Sequence, residues 1–199
     1  MSGIISDNQG RSSGLVKSAA SSDYVKLNTT TVSSTIASVS IDGYFTSDYD
    51  YYNLYFTNCV PASAAQYWMR FNSGGSAITG GNYRDSNFSN TNSGSSYQLD
   101  GEKYGHWGTT YFALSVAGNN NATAAYGGVC GEVQIFQPLN AAVYPQFRSS
   151  CYGAGGSGTA QQHFSGGYYD AATAISGVTL YFASQDTESG TFTLFGVKK

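Results

Sequence analysis

Two histidines, His106 and His163, are the chain's only imidazoles, and imidazole is the side chain best suited to move a proton near neutral pH. A hydrolase built on either would need a nucleophile on one side and an orienting acid on the other. His106 stands in Tyr104-Gly-His-Trp107 and His163 in Gln161-Gln-His-Phe164, both loop-like settings without such company. No Gly-x-Ser-x-Gly elbow joins a strand to a helix, and Gly153-Ala-Gly-Gly-Ser-Gly158 is glycine-rich but lacks both partners. Three carboxylate pairs, Asp48 with Asp50, Asp100 with Glu102 and Asp186 with Glu188, have the composition of a glycosidase acid and base. Each falls in a turn-like segment, where Asp and Glu serve as solvated residues or local caps. No loop gathers the oxygen density that Ca²⁺ demands, and the Walker-type phosphate cradle is absent. The expectation is a protein without catalytic residues, metal or cofactor.

Cys59, Cys130 and Cys151 are odd in number and show neither ligand spacing nor a CxxC pair. They read as three reduced thiols, two of them buried in or beside strands, consistent with synthesis in a reducing cytoplasm. Only 11% of residues are charged and the formal net charge is −3. That balance offers no basic field to nucleic acid. No signal peptide is visible at the N-terminus, and no apolar run is long enough to span a membrane. Seventeen tyrosines exceed what one core uses, so some of Tyr44, Tyr49, Tyr51, Tyr104, Tyr168 and Tyr169 are expected at the surface. Tyrosine gives stiff, amphipathic area to protein interfaces and to sugar faces alike.

The elements that would position these groups follow a period of two. Val178, Leu180 and Phe182 alternate with Thr179 and Tyr181, and Phe192 and Leu194 alternate with Thr191 and Thr193. The short polar connection between the runs predicts an antiparallel hairpin. Tyr52, Leu54 and Phe56 form one strand face before Pro61, and Tyr67, Met69 and Phe71 form another before Gly74-Gly75. Further runs cover 111–116 and 129–136, with Pro138 stopping the latter. Pro145 suggests an edge position for 142–148. The echo between Asn53-Leu-Tyr-Phe-Thr and Thr179-Leu-Tyr-Phe-Ala suggests neighbouring strands. The middle, 77–108, is rich in Asn, Ser and Gly and reads as long loops with one or two short strands. Loops of that length bind or assemble, and Tyr83, Tyr104 and Trp107 are the candidate interface or glycan contacts within them. Eight or nine strands and no helix predict an all-β antiparallel β-sandwich of jelly-roll type over 31–199.

Residues 1–30 differ, being turn-rich with two apolar clips, Ile4-Ile5 and Leu15-Val16. They read as an extended N-terminal arm whose clips dock on a neighbouring subunit, with Arg11 and Lys17 as polar anchors. Ser6-Asp-Asn-Gln-Gly-Arg-Ser-Ser-Gly-Leu-Val-Lys17, Phe45-Thr-Ser-Asp-Tyr-Asp-Tyr-Tyr52 and Gly190-Thr-Phe-Thr-Leu-Phe-Gly196 resemble β-sandwich virion proteins of tailed bacteriophages, of capsid-decoration or tail-fibre type. The resemblance covers both ends and the early strands and leaves 77–108 out. It implies a non-enzymatic, trimeric structural protein located in the virion, and brings no catalytic residues. The length favours a capsid decoration, or cement, protein bound to the major capsid protein or other virion proteins. The alternative is a short tail-fibre or receptor-binding adhesin that contacts host glycans. A polysaccharide depolymerase using Asp100 and Glu102 is the enzymatic rival.

Overall fold

The period-two stretches become strands in the computed structural model, which describes residues 23–93, 96–98, 104–115, 127–154 and 159–199. The first half contributes β1 (Tyr24–Val32), β2 (Val39–Asp42), β3 (Tyr49–Pro61), β4 (Tyr67–Ser73), β5 (Ser76–Ala77), β6 (Tyr83–Ser93) and β7 (Ser96–Gln98). The second contributes β8 (Tyr104–Thr109), β9 (Phe112–Ala113), β10 (Val129–Phe136), β11 (Gln146–Ala154), β12 (Ala160–Tyr169), β13 (Gly177–Phe182) and β14 (Thr187–Lys198). The pairings are antiparallel. Nine strands form one sheet in the order β1-β14-β3-β10-β11-β12-β6-β7, with β8 also on β6. Five form a second sheet, β2-β13-β4-β5, with β9 on β4. No helix among the described residues is long and apolar enough to cross a membrane.

The two sheets close on one core, making a β-sandwich. Tyr52, Leu54 and Phe56 of β3, Val133 and Ile135 of β10, and Phe192 and Leu194 of β14 face inward from the large sheet. Tyr67, Met69 and Phe71 of β4 and Val178, Leu180 and Phe182 of β13 answer from the small one. Rings meet across the gap, Phe56 with Tyr67 at 5.3 Å and Phe147 with Phe112 at 4.2 Å between centroids. Each of these buried side chains contributes about 1.5–3 kcal/mol through the water it sheds. The thiols fit the same division: Cys59 and Cys151 are buried and Cys130 is partly exposed.

Several elements depart from the sequence expectations. The two closing runs do not form a hairpin: β13 pairs with β2 and β4, whereas β14 pairs with β1 and β3. Between them Ser184 takes a left-handed φ of 57° and Phe182 bridges Gln185, and this corner carries the chain from one sheet to the other. Each strand then buries its apolar face from an opposite side of the same core, which period two alone cannot distinguish from a shared sheet. For the same reason the echoing segments of β3 and β13 lie in opposite layers and not side by side. Pro145 precedes β11, which is interior, between β10 and β12. Lying outside the ladder, the proline withholds no hydrogen bond from it. The segment 77–108, expected as long loops with one or two short strands, holds the eleven-residue β6 as well as β7 and most of β8. Backbone pairing makes these strands, and their polar composition hid them. Of 111–115, the described part of the run expected over 111–116, Phe112–Ala113 is strand. Residues 24–30, placed in the arm, pair with β14 as part of β1; Ile4, Ile5, Arg11, Leu15, Val16 and Lys17 lie outside the described residues, as do Asp100 and Glu102.

Candidate functional site

Because strands alternate sides, the residues between the core positions of the large sheet form its outer face. Register places them in rows across the strands. One row runs Val197, Tyr51, Phe136, Gln146, Tyr168, Arg84, Trp107 from β14 to β8. The next runs Phe195, Asn53, Gln134, Arg148, Gly166, Ser86, Gly105, and the third runs Thr193, Tyr55, Glu132, Ser150, Phe164, Phe88. Arg84, Arg148 and Glu132 are the charged members of these three rows. Aromatic rings recur through them and stack where neighbours allow. Tyr24 lies on Phe195 at 4.7 Å, Tyr144 on Tyr168 at 5.8 Å, and Phe88 approaches Phe164 at 6.5 Å.

At β6 and β12 the usual polarity of a half-buried strand is inverted. Phe88 and Phe164 are 43% and 42% exposed, whereas Asp85, Asn87, Ser89, Gln161, His163 and Ser165 are buried. Among the described residues neither nitrogen of His163 has a hydrogen-bond partner, nor do Ser149 Oγ, Gln161 Oε1 and Ser165 Oγ. Each such orphan costs about 1–3 kcal/mol of desolvation. The fold therefore tolerates polar groups inside while it keeps phenylalanines outside.

His163 is no loop residue. It sits inside β12 opposite Cys151, and burial pushes its imidazole down to about 4, so it is neutral near pH 7. His106 is likewise on a strand, β8. Its Nδ1–H donates to Asp85 Oδ1 at 2.7 Å, and the same oxygen accepts from His106 N at 3.2 Å and Asn87 Nδ2 at 2.9 Å. Asp85 Oδ2 accepts from Ala113 N at 2.8 Å. The hydrogen bond to Asp85 holds the His106 pKa above its ordinary value, against a smaller opposing effect of burial. The pair has the geometry of an oriented base. Through its bonds to Asn87, His106 and Ala113, Asp85 is a staple joining β6, β8 and β9; among the described residues no hydroxyl or thiol hydrogen-bonds His106. Nor do three or more His, Cys, Asp or Glu side chains among them gather into a metal site.

The candidate contacts separate. Trp107 is 77% exposed at the edge of the outer face. Tyr83 is a correction: it is fully buried, its hydroxyl donating to Ile78 O at 2.7 Å and accepting from Phe71 N at 3.2 Å, and it packs on Phe112 and Tyr169. Tyr104 lies in β8, its side chain outside the described set. Of the expected surface tyrosines Tyr44 is exposed, Tyr49, Tyr51 and Tyr168 are half-buried, and Tyr169 is buried. Asp48, Asp50, Asp186 and Glu188 are exposed. Arg84, Phe88, Tyr55, Tyr152 and Phe164 were not singled out from sequence. The alternation of Arg84, Ser86 and Phe88 was the available signal, but it points outward only if polar residues are allowed inside.

The small sheet has a lesser aromatic group on its own outer side. Trp68 stacks on Tyr111 at 3.8 Å and Arg70 lies 4.7 Å over Tyr181, so these rings largely satisfy one another. No family model, curated protein or solved structure matches the chain. Its role is therefore argued from the site.

Proposed function

We propose that this chain is a non-enzymatic virion structural protein, a capsid decoration (cement) protein that assembles as a trimer and binds the assembled head through the outer face of its large sheet. The observation that carries the docking is the polarity inversion on that face, with Phe88 and Phe164 outside and His163 and Gln161 inside. Exposed aromatic area with few charges is the composition of a surface meant to be covered. The phage setting comes from the sequence resemblance, and the major capsid protein is the partner it suggests. We read the kernel as a jelly roll, since β1, β14, β3 and β10 lie side by side opposite β2, β13 and β4, and β6 to β8 with β11 and β12 widen one layer. A protein that binds only the closed lattice stabilises it by its binding free energy.

The test is co-sedimentation with heads of the phage that encodes the chain. Tyr55→Ser with Phe164→Ser alters only the outer face, so the protein should stay folded while head occupancy falls at least ~10-fold, about 1.4 kcal/mol. Full occupancy by the double variant would refute the docking face. The adhesin reading is favoured at one place, where Trp107 stands exposed at the β8 edge.

A further inference from the structure

Beside Trp107 the outer face opens into a groove of about 380 Å³. Arg84 lies over the indole with its guanidinium carbon 3.3 Å from the ring centroid, and Asp170 pairs with that guanidinium. One face of the indole is thus backed by a fixed, neutralised cation, which stiffens the ring at small entropic cost. Tyr168, next in the same row, extends the aromatic wall. Where it passes the rings the adjoining row consists of Gly105, Ser86 and Gly166, so no large side chain of that row fills the space next to them. Gly167 keeps β12 this close to β6, since a Cβ there would overlap Arg84 O.

Charge selects the ligand. The Arg84 charge is balanced by Asp170, its unpartnered Nε is buried out of reach, and the Asp85 carboxylate is turned inward and takes four N–H donors. Among the described residues that line the groove, an anion finds no free cation and a cation finds no free carboxylate. What remains is a broad π surface with a rim of hydroxyls from Ser86 and Tyr168. A pyranose has the matching pattern, an apolar C–H face bordered by hydroxyl groups. We propose that the Trp107–Arg84–Tyr168 groove binds a neutral glycan, one hexopyranose ring stacked on Trp107. This rests on the adhesin-type contact at the β8 edge and not on docking to a head, and a decoration protein can carry it equally well.

The test uses the full chain carrying Trp68→Phe, which leaves Trp107 as the sole tryptophan. Its fluorescence is titrated with maltohexaose, cellohexaose and the N-acetylglucosamine hexamer, and with oligogalacturonate and sialyllactose as acidic probes. Saturable binding of at least one neutral probe is expected, weakened at least ~10-fold by Gly166→Leu. That substitution builds into the groove where a Cβ meets only Phe147 O at 3.6 Å, so the fold accommodates it. Calorimetry on Trp107→Ala should show the same loss, with near-ultraviolet circular dichroism checking its fold. Tyr55→Ser with Phe164→Ser should keep glycan binding while losing heads, so the two readings fail separately. The proposal is overturned if no neutral probe saturates, if Gly166→Leu and Trp107→Ala bind as the parent does, or if acidic probes bind more tightly.

Discussion

The two histidines work against each other as pH changes. His163 is neutral in the folded protein down to about pH 4, whereas an unfolded histidine takes its proton near 6.5. Above about 6.5 its burial is fully compatible with folding; as pH falls from there to about 4 the unfolded chain binds a proton the folded one refuses. The loss approaches about 3 kcal/mol, at about 1.4 kcal/mol per pH unit. His106 has the opposite sign, its pKa being raised by the bond to Asp85. Its contribution is complete below about 6.5 and fades as pH rises through the folded value. Urea unfolding between pH 4.5 and 7 should therefore show an acid-side slope that His163→Leu removes, with stability at pH 7 unchanged or higher because two orphaned nitrogens disappear. A slope that persists in His163→Leu would assign the acid lability to carboxylates. None of this was legible from Gln161-Gln-His-Phe164, where a polar run reads as a loop until its neighbours are known.

Among the strands, β6 is the element on which both the outer face and the groove depend, and its anchor is Asp85. Four N–H groups from three segments converge on one buried carboxylate, which fixes β8, and so Trp107, against β6. Asp85→Ala leaves those donors unpaired and should cost about 3 kcal/mol by urea unfolding, whereas Asp48→Ala, at an exposed turn, should stay within about 0.5 kcal/mol. Near-equal effects would mean that β8 is held by backbone pairing alone. The strands with aliphatic alternation, β3, β4, β10, β13 and β14, were legible because their inward sides are apolar. β6, β8 and β12 were not, because their ladders are closed by backbone groups that every residue carries, while, apart from Tyr83 and Tyr169 at their ends, the buried side chains facing in are Asp, Asn, Gln, His and Ser.

At the scale of the molecule the layers are unequal, nine strands against five, and the wider layer offers the broad outer face. If that face docks on a head, the arm is its second anchor. Deleting residues 1–20 should leave a folded protein whose head occupancy drops in co-sedimentation, and undiminished coating would remove the arm from the proposal. Light scattering should give a trimer. The sequence by itself determined the all-β class, the core positions Tyr52, Leu54, Phe56, Tyr67, Met69, Phe71, Phe192 and Leu194, and the stops at Pro61 and Pro138. Burial of alternate apolar side chains is a local pattern, and a strand's own residues encode it. Only the tertiary structure decided that β13 and β14 lie in opposite sheets, that Tyr83 is core while Phe88 is surface, and that Asp85 and His106 meet. Sheet membership, the sense of a strand's two sides and the pairing of distant groups depend on what packs opposite, which no single strand specifies.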